Sequence, residues 1–187
     1  MVDVNNEQEN TQRFRYFEKL RYAVWDSLLE TKTNTVYWSV RAKDIQQFDQ
    51  RANVLSVVLS LSTVASILTS IDLLWKILSI ILSILSVAIP IINWSEKAGV
   101  SSELARKWGE SFNEYYQVWM ELEFIDFEIA QNEEINSIKK KFELAQTAQL
   151  DLIGKDLKVS NKEQLWQKIN QEADQILRRK CQYSEDI

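Results

Sequence analysis

Residues 75–94 read WKILSIILSILSVAIPIINW, and the fold turns on how this stretch is read. No charge lies between Lys76 and Glu96. A helix of that length covers a hydrocarbon core of roughly 30 Å at about 1.5 Å per residue. A core helix of a soluble protein normally turns a polar face to water, whereas this run has only a thin line of hydroxyls. Trp75 and Trp94 close its ends. They stand about 28 Å apart on an ideal helix, a spacing that suits indoles at two membrane interfaces. Working outward, residues 52–71, ANVLSVVLSLSTVASILTSI, are also uncharged and lie between Arg51 and Asp72. Residues 72–76 leave room only for a tight turn. The two runs therefore predict a hairpin, with spans over 52–71 and 77–95. The competing reading is a hydrophobic hairpin buried in a soluble helical bundle.

Composition narrows the rest. The chain has 187 residues, three glycines and one proline, too few turn formers for a β-rich fold and suited to long helices. Its mean hydropathy is mildly negative, so the apolar residues are concentrated rather than spread. The net charge of −5 offers no basic surface for nucleic acid. The cluster Arg178-Arg179-Lys180 is read as a helix C-terminus complementing its dipole. There is no histidine and a single cysteine, Cys181. Histidine-based triads, proton relays, cysteine zinc clusters and an intrachain disulfide are thereby excluded. Gly99, Gly109 and Gly154 are isolated and form no phosphate loop. No catalytic, cofactor-binding or metal site is expected, and the chain is not read as an enzyme.

The expected fold class is an all-α membrane protein: a two-span transmembrane hairpin with long cytosolic helices packed in coiled-coil fashion. Residues 1–10 are expected to be a disordered tail, 11–51 N-terminal cytosolic amphipathic helices, 52–95 the hairpin and 96–187 a C-terminal cytosolic helical region. Arg41, Lys43 and Arg51 precede the first span, and Lys97, Arg106 and Lys107 follow the second. The positive-inside rule then puts both termini in the cytoplasm, with lipid as a partner.

Outside the hairpin the periodicity is helical. Phe14, Phe17, Leu20, Val24 and Leu28 share one face, and TKTNT at 31–35 is expected to interrupt that helix. Tyr37 and Trp38 are assigned to packing. Leu104, Trp108, Ser111, Tyr115, Val118, Leu122, Ile125 and Ile129 alternate steps of four and three, a heptad seam for packing within or between subunits. Ile135, Ile138, Phe142 and Ala145 begin a second seam after a break near 131–134, where Asn132, Glu133 and Glu134 resemble a capped helix start. Gly154 is expected as a left-handed cap. Ser160 and Glu163 form a capping box for a last helix toward Cys181, with Leu165, Ile169, Ala173 and Ile176 on its apolar face. The aromatic residues Trp108, Phe112, Tyr115, Tyr116, Trp119, Phe124 and Phe127 are read as core packing in preference to a base-stacking surface.

Each uncharged run carries a polar line. Ser79, Ser83, Ser86, Pro90 and Asn93 share an arc of about 80°. Ser56, Ser60, Thr63, Ser66 and Ser70 share about 120°. Small residues four apart serve close helix packing; in an assembly of several chains the same residues, Asn93 included, line a water-filled pathway. The two readings stand side by side, and the second requires a homo-oligomer.

The lead-in helix, the hairpin at 52–95 and NWSEKAGVSSELARKWGESFNEYYQ at 93–117 resemble the SLATT family, the SMODS- and SLOG-associating two-transmembrane effectors of bacteria. The resemblance covers residues 11–181 and is architectural. It implies an oligomeric pore-forming effector of an antiphage or conflict system. Such an effector permeabilises the inner membrane when a nucleotide signal or a cytosolic sensor partner triggers it. The alternative function is a membrane-anchored helical scaffold that binds a cytosolic partner without forming a pore.

Overall fold

A computed structural model describes residues 4–68, 77, 80, 81, 84, 94–127, 130, 132–156 and 162–181. The described elements are four helices: α1 (Val4–Leu68), α2 (Trp94–Phe124), α3 (Asn132–Asp156) and α4 (Glu163–Cys181). The chain divides into two compact units, Met1–Tyr37 with Leu104–Ile187, and Trp38–Glu103.

The first unit is built on the periodic faces of the sequence. From α1 it buries Phe17, Leu20, Val24, Trp25 and Leu28. From α2 come Tyr115, Val118, Trp119 and Leu122; from α3 Ile135, Ile138, Phe142 and Ala145; and from α4 Leu177. The heptad seam of α2 is internal: Leu104, Trp108, Ser111, Tyr115, Val118 and Leu122 are all buried in the single chain. Ile125 packs partly buried against the same core, and Ile129 lies outside the described residues. The α3 seam runs on past Ala145 through Gln149 to Leu152, both buried. Spacings of three and four keep one helix face turned to its neighbours, which is why these positions lose their water, and Trp119 beside Val118 is buried with them.

The expected two-span transmembrane hairpin is corrected, and with it the multi-pass placement in a bacterial inner membrane with cytoplasmic termini. Among the described residues, no helix is long and apolar enough to cross a membrane. The uncharged end of α1, residues 52–68, measures about 25 Å, short of a hydrocarbon core of roughly 30 Å. Its serines and threonines lower its hydropathy further. Of the second run, only Ile77, Ile80, Ile81, Ile84, Trp94 and Ser95 belong to the described residues. Trp94, expected at a membrane interface, instead has its ring 4.8 Å from that of Phe48, and the Lys97 ammonium lies 5.0 Å from its centroid.

Local expectations also shift. α1 begins at Val4 and not Thr11, and it runs through TKTNT without a break. The threonines are accommodated because their hydroxyls donate back to the preceding turn. Thr31 shares its proton between the Ser27 carbonyl at 2.8 Å and the Leu28 carbonyl at 3.1 Å. Thr35 donates to the Thr31 carbonyl at 2.7 Å. A buried hydroxyl satisfied in this way no longer competes with the helix. Gly154 lies within α3, two positions before its end, and its φ is not left-handed. The buried register of α4 is Ile169, Ala173 and Leu177, while Ile176 is exposed.

Candidate functional site

Three features of the first unit stand out as candidate sites. The first is a polar seam through the bundle interior. Thr33 shares its proton between the Leu29 carbonyl at 2.8 Å and Asn170 Oδ1 at 3.0 Å. The Trp166 indole N–H donates to Asn34 Oδ1 at 2.8 Å, and the Lys162 backbone N–H donates to the Tyr37 hydroxyl at 2.8 Å. On the α2–α3 side, Tyr115 donates to Gln149 Oε1 at 2.5 Å, and Gln149 Nε2 donates to Glu30 Oε2 at 3.1 Å. Burial, reinforced by Glu30 and Glu114, pushes the Tyr115 hydroxyl up to about 12 despite an opposing hydrogen bond with Ser27. These groups are paired with one another and present nothing to a substrate. Their role is register, since a helix slid along its neighbour would strand buried donors and acceptors.

The second feature is a set of cations seated on aromatic faces. Lys32 lies over Phe112 at 5.0 Å and Lys180 over Tyr116 at 4.6 Å, and those two rings stack 5.9 Å apart. Arg21 lies over Trp119 at 5.6 Å, while its guanidinium holds Glu123 at 2.6 Å and Glu18 at 3.3 Å. Arg178 lies over Trp25 at 5.9 Å and pairs with Asp174 at 2.8 Å. Arg13 donates to the Ala130 carbonyl and lies over Phe127. The cations thus cover the edges of the aromatic core, and the arginines already hold carboxylates or a carbonyl. Of the aromatic residues singled out in the sequence, Trp108, Tyr115 and Trp119 are fully buried, and Phe112, Tyr116 and Phe127 pack against the core. This is the packing role expected of them, and Phe124 is the exception, exposed at the end of its helix.

The third feature is an open groove where α2 ends and α3 begins. Met120, Glu121, Phe124, Ile125, Glu134, Ser137 and Ile138 line a volume of about 430 Å³. Phe124, the last residue of α2, is 81% exposed. The groove was not legible beforehand, because it depends on how two seams of different phase meet across a break.

Most of the residues expected to line a pore fall outside the described part of the chain. Ser70, Ser79, Ser83, Ser86 and Asn93 lie outside the described residues. Ser60, Thr63 and Ser66 fall on α1, with side chains outside the described set, and Ser56 is half-buried. What stands out in the second unit is apolar instead. Val54, Leu55 and Val57 on α1 are 50–66% exposed, and Ile77, Ile80, Ile81 and Ile84 are 48–63% exposed. The isoleucines recur at i, i+3, i+4 and i+7, the spacing of one helix face.

Chemistry is sparse. Among the described residues, no cluster of carboxylates and cysteine is arranged to hold a metal. Cys181 is half-buried, and burial, with Glu123 nearby and against the opposing pull of Lys180, raises its thiol above the ordinary range. A thiol held protonated is a poor nucleophile.

The fold and these features define an all-helical protein with a packed aromatic bundle and exposed apolar surfaces. No family model, curated protein or solved structure matches the chain. The likeness to the SLATT family therefore rests on the sequence pattern alone.

Proposed function

We propose that this chain is a non-catalytic helical scaffold that assembles with copies of itself through the apolar surface of the unit Trp38–Glu103. The observation that supports this reading is the exposure of Val54, Leu55, Val57, Ile77, Ile80, Ile81 and Ile84 in one unit of one chain. An apolar surface of this kind is costly in water at about 25 cal/mol per Å², and contiguous exposed patches mark sites of association. A second copy supplies a surface of the same character, and closed homo-oligomers are the common solution to such a patch. The first unit, with its polar seam internally satisfied, is then carried as a rigid partner-binding body. The pore reading required two membrane spans and is not carried forward.

The test is the mass of the purified full-length chain by mass photometry, in a mild non-ionic detergent that disperses non-specific aggregates. The chain is expected to run as a defined oligomer. Ile80→Asp with Ile84→Asp places charges on residues that are exposed in the single chain, so the fold survives while the assembly dissociates. A monomeric parent chain, or an oligomer unmoved by both charges, overturns the scaffold reading.

A further inference from the structure

We propose that the outer face of α1 between Arg15 and Tyr22, with Lys139 and Lys140 of α3 beside it, binds single-stranded nucleic acid. The face lies within the first unit. It names a partner for the body that the scaffold reading carries, and it is independent of self-assembly through the second unit.

The cations on this face are ones the fold leaves unengaged. Elsewhere on α1 in the first unit, Arg13 donates to the Ala130 carbonyl, Arg21 is held by Glu18 and Glu123, and Lys32 lies over Phe112. Arg15 and Lys19 are exposed, and among the described residues no carboxylate pairs with either. On α3, Lys139 pairs with Glu143 at 3.6 Å and Lys141 with Glu121 at 2.6 Å, while Lys140 between them is exposed and unpaired among the described residues. Gln12, Arg15, Tyr16, Lys19 and Tyr22 share an arc of about 120° at 100° per residue, opposite the buried Phe17 and Val24. No Asp or Glu falls on that arc before Asp26, one turn beyond Tyr22. The chain as a whole carries 27 acids against 22 bases, so this stretch reverses the balance locally.

The rings select the partner. Tyr16 is 39% and Tyr22 48% exposed, unlike the aromatic residues of the α2 seam. The Lys139 ammonium lies 5.8 Å from the Tyr16 ring centroid, which joins α3 to α1 in one surface. Cations that meet phosphates, interleaved with aromatic faces that stack bases, are the elements of single-strand binding. Arg15 and Tyr22 stand about 10 Å apart along the helix, so a short stretch of strand reaches both. A duplex keeps its bases stacked inside and offers nothing to the tyrosines. An acidic peptide meets the cations and leaves both rings idle.

The probe is a short fluorescein-labelled single strand of deoxythymidine, titrated with the full-length chain at low salt and followed by anisotropy. It is expected to bind, and with three unpaired cations engaged log K should fall against log salt with a slope of about −2. Arg15→Gln with Lys19→Gln should weaken binding several-fold and bring the slope to about −0.7. Tyr16→Ala with Tyr22→Ala should weaken it about tenfold and leave the slope unchanged. All four side chains are exposed, so the fold survives, and circular dichroism verifies this. Ile80→Asp with Ile84→Asp, the variant that tests self-assembly, is expected to bind the strand still, which keeps the two readings apart; loss of binding there overturns the placement in the first unit. Equal binding of an abasic strand of the same length, or of polyglutamate, overturns the proposal, as does binding unmoved by either pair of substitutions. Tighter capture of the chain by phosphatidylserine vesicles, lost in Arg15→Gln with Lys19→Gln, also overturns it and makes the partner a lipid surface.

Discussion

The pair Tyr115–Gln149 offers the most direct measurement of what the buried polar seam contributes. Tyr115 is fully buried and Gln149 is 5% exposed, so neither partner falls back on water. Tyr115→Phe keeps the ring against Phe142, 5.8 Å away, and removes only the hydroxyl. It leaves Gln149 Oε1 without its donor, at a cost of about 1–3 kcal/mol. Gln149→Leu strands the phenol and removes the donor to Glu30. Its cost lies in the lower part of the same range of about 1–3 kcal/mol, because Ser27 still meets the Tyr115 hydroxyl. With both changes made, two apolar groups of similar shape face each other and no buried polar atom of the pair is left over. The double variant is expected to lose less than the two single variants together, with a coupling of about 1–3 kcal/mol. Urea unfolding of all four proteins, followed by circular dichroism at one pH, gives the cycle. If the double variant equals the sum of the singles within about 0.5 kcal/mol, the two side chains are not bonded and the register argument fails.

The same hydroxyl predicts an alkaline limit: its folded pKa of about 12 lies above the unfolded value of about 10. The unfolded chain therefore loses this proton first. The contribution is fully present below about pH 10 and drains away as pH rises toward 12. Urea midpoints measured across this window should fall more steeply for the parent than for Tyr115→Phe, and parallel curves would count against the burial argument. Trp119→Ala removes a fully buried ring packed 5.1 Å from Trp25; a loss of about 3–5 kcal/mol should appear as a much lower thermal midpoint. Gly154→Ala is expected to stabilise by about 0.5 kcal/mol, since a helical alanine meets nothing within 4 Å there. A lower melting temperature would instead restore the left-handed cap.

Much of the first unit was legible in the sequence because its core follows helical periodicity, with Phe14 and Ile176 the exposed exceptions. The α2 seam from Leu104 to Leu122 and the α3 seam from Ile135 to Ala145 are buried position by position. The start of α3 at Asn132 falls where a capped start was expected, and the last helix runs from Glu163 to Cys181, while Ser160 of its expected capping box lies outside the described residues. What misled was chemistry whose partners lie elsewhere. Thr31, Thr33 and Thr35 look like helix breakers until their carbonyl acceptors and Asn170 are in view. Ile176 and Leu177 are equally apolar, and only the approach angle of α4 decides which is buried. The uncharged runs were read from length, absence of charge and flanking tryptophans, and the last of these signals fails because Trp94 packs on Phe48. The groove escaped notice because Glu121 and Phe124 come from α2 while Glu134 and Ile138 come from α3, and no linear pattern connects them.

The polar seam has a consequence in time. Thr33 and Asn170 are 137 residues apart, Asn34 and Trp166 132, and Tyr37 and Lys162 125. At roughly 5–20 residues per second, α1 leaves the ribosome many seconds before the groups that complete it have been made. In that interval the core around Phe17, Leu20, Val24 and Leu28 lacks the cover that Leu177 of α4 supplies. The bundle thus closes only once α4 has been made, from two segments far apart in the chain. A ribosome stalled before α4 displays a long amphipathic helix whose asparagine and tyrosine still await their partners, a natural target for chaperones that grip nascent chains.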